Sequence, residues 1–469
     1  MKQDLSRINL KPRTLEEACE VIGQLVEIIV DLKKDNDSLR EQLNANSKNS
    51  SLPPSQDRKK KKEKKAKSKL KKGAQKGHKG NQRPIIPPEN VSQFIICKLS
   101  EAHCACGGEI KLKKKIERHQ VFEIPVAKYE VIEYQLQKGH CICCSKNYSA
   151  SLPIGISRKG FGPRAQAMVS LLTSKYRLSK RLAREWFKDI YQMPMCLGSV
   201  SNVEQTVSQA LAPVHQDISA HIQVAKIVHA DETGHKECNK NGWAWVLSTI
   251  CHTLFELRRS RGKKVAKELI GNFQDRVFIT DRYAAYNYLP DKNHQICWAH
   301  LKRDFQKISE RPGESGRVGR ELLKCYEKVF CFWKKDYQGQ DISKKKSKRL
   351  KRFKNQMMHW LKMGTHCSHS KTVNTCENLI ALFPSLWLFF EIPGVLPTNN
   401  HAERQLRPLV ISKKLTFGTQ SDRGSRYIER VFSTIATCKQ QGRDVLAFVI
   451  QTVEKYFRKE QPIFLSATA

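Results

Sequence analysis

The chain is poor in acid. Only 45 Asp and Glu stand against 84 Lys and Arg in 469 residues, so the formal net charge is +39 and the sequence pI is near 9.8. Solubility does not need so large an excess; it points to a polyanionic partner, with nucleic acid ahead of an anionic membrane surface. A long apolar run is also missing. The most hydrophobic stretch, residues 380–396, is interrupted by Pro384 and Pro393 and is too short to span a bilayer. The N-terminus, MKQDLSRINLKPR, has no apolar core of the kind a signal peptide carries. These absences predict a cytoplasmic chain without a membrane partner. In that compartment sixteen cysteines are read as metal ligands or buried thiols, not as disulfides.

What is present divides into segments, since 469 residues exceed one ordinary core. Residues 1–46 carry a seven-residue repeat, with Leu15, Ile22, Ile29 and Leu43 at one position and Leu25, Leu32 and Leu39 at the other. That pattern predicts a parallel coiled coil and self-association, and Asn36 at a core position favours two strands. Residues 47–93 are polar, then nearly uniformly basic (RKKKKEKKAKSKLKKGAQKGHKG), then proline-rich; no core forms from them, and a disordered linker is expected. If six of its lysines neutralised phosphates, DNA binding would fall with salt at a log–log slope of about −5.

Residues 94–155 hold two cysteine knuckles, HCACGG at 103–108 and HCICC at 140–144. Between them HQVFEIP and YEVIEYQLQ alternate as strands do. Thiolates at such spacing turn onto one tetrahedral ion, which predicts a zinc-ribbon-like module. Its ligands are Cys106, Cys141 and Cys144, with Cys104 or His103 as the fourth. Residues 156–222 read as helices, and a break at MPMCLGS followed by a helix capped by Ser199 has the form of a helix-turn-helix that binds DNA.

From residue 223 strands begin: VAKIVHADETGH, GWAWVLSTI and TLFELRRS, then the helix GKKVAKELIGNF and the buried strand RVFITDRYAAY. Antiparallel strands, a helix and a further strand form the front half of an α/β ribonuclease-H-like fold. Asp231 closes the first apolar strand and Asp281 the last. Glu232 follows Asp231 on the opposite face, so it is read as a bystander. Trp243 and Trp245 share a face and are read as core. Near the C-terminus, Asn400 and Glu403 have the spacing of a capping box, which would occupy that carboxylate locally.

The blocks HADETGH, GWAWVLST, TDRYAAY, CWAHLKRDF and NNHAERQLRPLVISKKLTFGTQSDRGS closely resemble transposases of the insertion sequence 66 family, in the family's order. The resemblance implies a DDE triad at Asp231, Asp281 and Glu403, split by a helical insertion over residues 304–397. It leaves residues 223–303 and 398–469 as the two parts of the catalytic domain. Glu403 is then taken as catalytic, not as a cap. Three carboxylates suit two Mg²⁺ or Mn²⁺ ions about 3.5 to 4 Å apart, which clamp the attacking and leaving oxygens of a phosphoryl transfer.

The expected activity is therefore metal-dependent cleavage at the ends of a mobile element and transfer of the 3′-hydroxyl into double-stranded target DNA. Arg404, Arg407, Lys413, Lys414, Arg423 and Arg426 would hold phosphates near the metals. His300 is read either as a phosphate contact or as a structural histidine. Two other classes compete: a transposase-derived DNA-binding regulator without catalysis, and a metallohydrolase using His229 and Asp231. Companion transposition proteins remain an open expectation.

Overall fold

The computed structural model describes residues 14–46, 49–50, 84–100, 103, 105–112, 117–337 and 344–465. The expected basic arm through residue 83 and Cys104 lie outside the described residues. Two compact units emerge, one drawn from Met1–Arg58, Val131–Asp189 and Met193–Ala469, the other from Lys59–Glu130 and Ile190–Gln192. Within the smaller unit, Gln120 clasps Ile86 through both its amide atoms, and Arg118 donates to the same carbonyl. HQVFEIP forms no strand there, nor does YEVIEYQLQ farther on. Alternation specifies faces but supplies no pairing partner, and Val121, Ile124 and Val131 are left exposed. The short hairpin that does form, β1 (Lys138–His140) with β2 (Asn147–Ser149), belongs to the larger unit.

In that larger unit α1 spans Leu15–Asn44, opened by Thr14, whose hydroxyl accepts from the Glu17 amide. Leu15, Ile22, Ile29, Leu32, Leu39 and Leu43 form an exposed stripe along it. Its last turns are anchored, because Glu41 binds Arg311 and Lys371, each at 2.7 Å. Burial opposes the Glu41 charge, but these hydrogen bonds and the charges of Arg311 and Lys307 outweigh it and hold its pKa at about 2.

Helices α2 (Pro163–Thr173), α3 (Lys180–Tyr191), α4 (Leu197–Ala210) and α5 (Ala212–Val224) follow. The N-cap of α4 is Cys196, whose sulfur accepts from the Ser199 amide, so Ser199 lies in the first turn and not at the cap. The sheet comprises β3 (Ile227–Glu237), β4 (Lys240–Ser248), β5 (Thr253–Arg258), β6 (Val277–Thr280) and β7 (His294–Ile296), with α6 (Lys263–Ile270) crossing between β5 and β6. Its spatial order is β5-β4-β3-β6-β7, antiparallel from β5 to β3 and parallel from β3 to β7. All four residues of β6 are buried, as expected of a strand covered on both faces.

Arg276, just before β6, donates to the carbonyls of Ile222, Ala225, Ile270 and Asn272. One guanidinium thus satisfies the orphan carbonyls at the ends of both α5 and α6, where a cation is also favoured by the helix dipoles. That fixes the depth at which β6 enters the sheet. Beyond β7 come α7 (Trp298–Ser309), α8 (Gly313–Phe332), α9 (Lys344–Thr365), α10 (Ser370–Ala381) and α11 (Leu388–Glu391). The apolar run at 380–396 becomes their core, with Trp387 and Phe389 edge-on to the buried Trp298 at 5.2 and 5.7 Å. This core continues into Val277, Ile279 and Ile296, so the insertion and the sheet share one interior.

The chain then returns as α12 (Asn400–Thr416), α13 (Asp422–Gln440) and α14 (Val445–Arg458). Helix α12 packs on β3 and β4, and α13 on β5, α5 and α4. Between α12 and α13, Gly418 has φ +106, and a Cβ there would collide with the Lys236 carbonyl oxygen. This close approach lets Thr419 exchange backbone hydrogen bonds with Lys236 and Cys238, tying the turn to the end of β3. Among the described residues, no helix is long and apolar enough to cross a membrane.

Candidate active site

Asp231 lies in the middle of β3, which runs on to Glu237, and does not close it as the apolar pattern suggested. Pairing with β4 from Glu237↔Lys240 inward extends the strand through its polar half. Asp281 immediately follows β6, and its carboxylate accepts from the Tyr283 amide at 2.9 Å. Glu403 lies in the first turn of α12. Asp231 feels the charge of both other acids. Burial raises the Asp231 pKa well above the usual carboxylate range, and the charges of Glu232, Asp281 and Glu403 push the same way. Burial also raises Asp281, against the opposing charges of Arg261, Arg282 and Arg303.

The capping box does not form. Asn399, not Asn400, is the N-cap of α12, and its side chain makes no capping bond. Instead its amide donates to the Ala230 carbonyl at 2.8 Å and its oxygen meets His229 Nδ1 at 3.2 Å. Because an amide oxygen only accepts, the His229 proton sits on Nδ1. Burial lowers the His229 pKa to about 4, which keeps the ring neutral. Glu403 is thereby free of its own helix and stands 3.6 Å from Arg303 and 3.8 Å from His300. Burial holds His300 near a pKa of about 4, so it is a polar neighbour of Glu403 and not a cation. A half-open pair such as Arg303 and Glu403 contributes about 0–1 kcal/mol, so that carboxylate can turn inward at little cost.

Glu232 is occupied by partners of its own. Its side chain is only 2 % exposed and 3.2 Å from Arg261, and it accepts from the Tyr286 hydroxyl at 2.7 Å. Burial and the Asp281 charge raise its pKa to about 7, despite those two partners. Arg261 stacks over Tyr283 and Trp243, 3.6 and 4.5 Å from the ring centroids. Trp245 is buried as expected, whereas Trp243 is half-buried and serves as this platform. Strict face alternation treats a strand as flat; it takes no account of Tyr286 and Arg261 arriving from other elements to receive the second acid.

A cavity of about 220 Å³ opens beside Asp281, lined by Arg261, Arg282, His300 and Arg303 and by Asn49 and Ser50 from the segment after α1. Asn49 is fixed there by a 2.6 Å bond to Glu310. The basic residues expected at this site do not all meet in it. Arg404, Arg407 and Lys414 are exposed on α12. Lys413 is tied to Thr233 at 2.7 Å and to the Gly234 carbonyl. Arg423 and Arg426 lie on α13 beside α4, where Arg423 bonds to Gln205 and Arg426 to Asp422.

Hard oxygen donors crowding a buried Asp231 fit a divalent cation such as Mg²⁺, whose charge would offset the repulsion. Among the described residues no group of three or more His, Cys, Asp or Glu side chains is assembled to hold a metal ion. Asp281 and Glu403 are within electrostatic reach of Asp231 without being drawn into a cage. Of the expected zinc ligands, Cys141 and Cys144 lie in the β1–β2 turn, while His103 and Cys106 lie in the smaller unit. Backbone N–H groups of Cys144 and Cys143 stabilise the Cys141 thiolate and lower its pKa, a turn suited to a soft cation.

Acids from two parallel neighbouring strands and a returning helix are thus gathered with cations around them. The chain belongs to the transposase IS66 family, which it matches over residues 161–427. Residues 8–84 match a family of unknown function (DUF6444). The chain is 22% identical to the uncharacterized protein y4hP of Sinorhizobium fredii (strain NBRC 101917 / NGR234) over 417 residues, 80% of this chain and 74% of that one. It is 25% identical to the uncharacterized protein y4qI of the same organism over 199 residues, 38% of this chain and 35% of that one.

Proposed function

We propose that this chain cleaves DNA at the ends of a mobile element and joins the freed 3′-hydroxyl to target DNA, with Asp231, Asp281 and Glu403 holding Mg²⁺ or Mn²⁺. The observation that carries the reading is that the charges of Asp281 and Glu403, fifty and more than a hundred residues away in sequence, both act on buried Asp231. The sheet, three antiparallel strands continued by two parallel ones, has the order expected of a ribonuclease-H-like domain and supports it.

When bound, the divalent ions stabilise negative charge on the attacking and leaving oxygens. The protein's own groups orient the phosphodiester. Arg303, Arg282 and Arg261 line the cavity on the Asp281 side and would neutralise its non-bridging oxygens. Neutral His300 offers a hydrogen bond without adding charge. In the first step water attacks phosphorus and the 3′-oxygen leaves; in the second that 3′-hydroxyl attacks a target phosphodiester and displaces another 3′-oxygen. No covalent bond between protein and DNA is needed.

The same proposal includes a zinc ion at Cys106, Cys141 and Cys144 with Cys104 or His103, and self-association through the exposed stripe of α1. Asp231→Asn, Asp281→Asn and Glu403→Gln are each expected to abolish Mg²⁺-dependent strand transfer while duplex binding persists. Full transfer by purified Glu403→Gln protein would refute the assignment. A thermal shift on adding Mg²⁺, present in the wild type and lost in Asp231→Asn, reports metal binding without turnover.

A further inference from the structure

A second concave surface lies apart from the acids. Helix α4 buries Val200, Val203, Thr206 and Val207 and leaves Asn202, Gln205 and Gln209 along its outer edge, at spacings of three and four. Helix α13 sets Arg423, Arg426 and Arg430 at the same spacings beside that edge. Together they enclose a cavity of about 290 Å³, lined by Gln205, Ser208, Gln209, Asp422 and the three arginines. None of these residues lines the cavity beside Asp281.

The guanidiniums are held in place and not loose. Arg423 donates to Gln205 Oε1 at 3.2 Å, and Arg430 to the Ser208 carbonyl at 3.0 Å and its hydroxyl at 3.3 Å. Only Arg426 is paired with an acid in the cavity, Asp422. Three positive charges therefore face one negative charge. Glu429, next in sequence to Arg430, accepts instead from the Leu257 amide on β5. Across α4, Lys159 binds the neutral oxygens of Thr206 at 3.1 Å and Asn202 at 3.5 Å, adding a further cation on the other flank. Glu429 acts on Arg426 and Arg430 by charge and Glu204 of α4 pairs with Lys180 at 2.7 Å, but among the described residues neither acid forms an ion pair with the three arginines.

We propose that the α4–α13 cavity is a second DNA contact, a clamp in which Arg423, Arg426 and Arg430 seat one backbone phosphate of a duplex against the polar edge of α4. Planar guanidiniums such as Arg423 and Arg430, fixed by neutral oxygens, are suited to bidentate phosphate binding, and Arg426 can exchange its exposed Asp422 partner for the phosphate. Contacts of this kind fix register and orientation and read no base sequence. Gln205, Gln209 and Asn202 flank the seat and would meet the sugar-phosphate chain or a groove edge beside it. The clamp rests on the reading of this chain as a DNA-acting protein but not on its catalytic acids.

The test is fluorescence anisotropy of a labelled duplex of arbitrary sequence over a range of salt, with wild-type full-length protein and the Arg423→Gln/Arg426→Gln variant. Both side chains are exposed, so the fold is expected to survive, and a thermal melt checks it. Loss of the one phosphate contact lowers the slope of log K against log salt by about 0.9, and weakens binding several-fold at moderate salt. Gln205→Glu, which sets a carboxylate against Arg423, is expected to act in the same direction. Wild-type binding with slope and affinity unchanged in both variants would overturn the clamp and leave the catalytic reading standing. A wild-type protein with no affinity for duplex DNA would remove both.

Discussion

The side-chain amide of Asn399 donates to the backbone carbonyl of Ala230 at 2.8 Å, fastening the start of α12 to the residue before Asp231. The same side chain meets His229, and its backbone amide donates to Cys297 Sγ at 3.1 Å. Asn399 is fully buried. Asn399→Ala would leave the Ala230 carbonyl and His229 Nδ1 without their partner, at a cost of about 1–3 kcal/mol for each unsatisfied group. The expected result is a lower denaturation midpoint, with strand transfer reduced further than stability alone explains, because Glu403 loses its register against Asp231.

Arg261 is the only cation among the described residues within ion-pair distance of Glu232. Removing one partner of a buried pair costs about 3–5 kcal/mol, whereas removing both charges costs less. Arg261→Gln is expected to be strongly destabilised at pH 8, and Arg261→Gln/Glu232→Gln to recover most of the loss. Urea denaturation of the two variants checks it; equal midpoints would show that Glu232 does not depend on Arg261.

Burial and the Glu256 charge raise the Glu429 pKa to about 7 from an ordinary 4.5. A raised carboxyl favours the folded state when protonated. Its contribution is therefore complete below about pH 4.5 and is lost as pH rises through 7. Glu429→Gln keeps an acceptor for the Leu257 amide and has no charge to bury. The variant is expected to gain stability relative to wild type between pH 5 and pH 8, read as a diverging melting temperature.

Glu41 has the opposite sign. Its depressed pKa, about 2, means that its contribution is present above about pH 4.5 and lost as pH falls toward 2. Glu41→Gln at neutral pH is expected to release the end of α1 from Arg311 and Lys371. Amide exchange should accelerate in the last turns of α1 and stay unchanged in β3.

Much of the larger unit was legible because it rests on local patterns. The seven-residue repeat marked α1, and the run VFIT between a basic helix and an acid marked β6 and placed Asp281 at its end. The strands expected in HQVFEIP and YEVIEYQLQ failed for the complementary reason, since their pattern named faces and no ladder met them. The partners of Glu232 were not legible, because alternation describes one strand while Tyr286 and Arg261 come from outside it. The grouping of Arg423 and Arg426 with Glu403 followed closeness in sequence, yet the turn at Gly418 carries α13 away to α4 and β5.

By itself the sequence determined the basic charge, the heptad stripe and the cysteine spacings, all properties of residue type and short-range order. Only the tertiary structure decided which groups share a space. Asn399 selects the height at which α12 meets β3, Arg276 sets the depth of β6, and these two attachments bring the charges of Asp281 and Glu403 within reach of Asp231. Such contacts join residues more than a hundred positions apart, and no local pattern encodes a distance that depends on how a whole core packs.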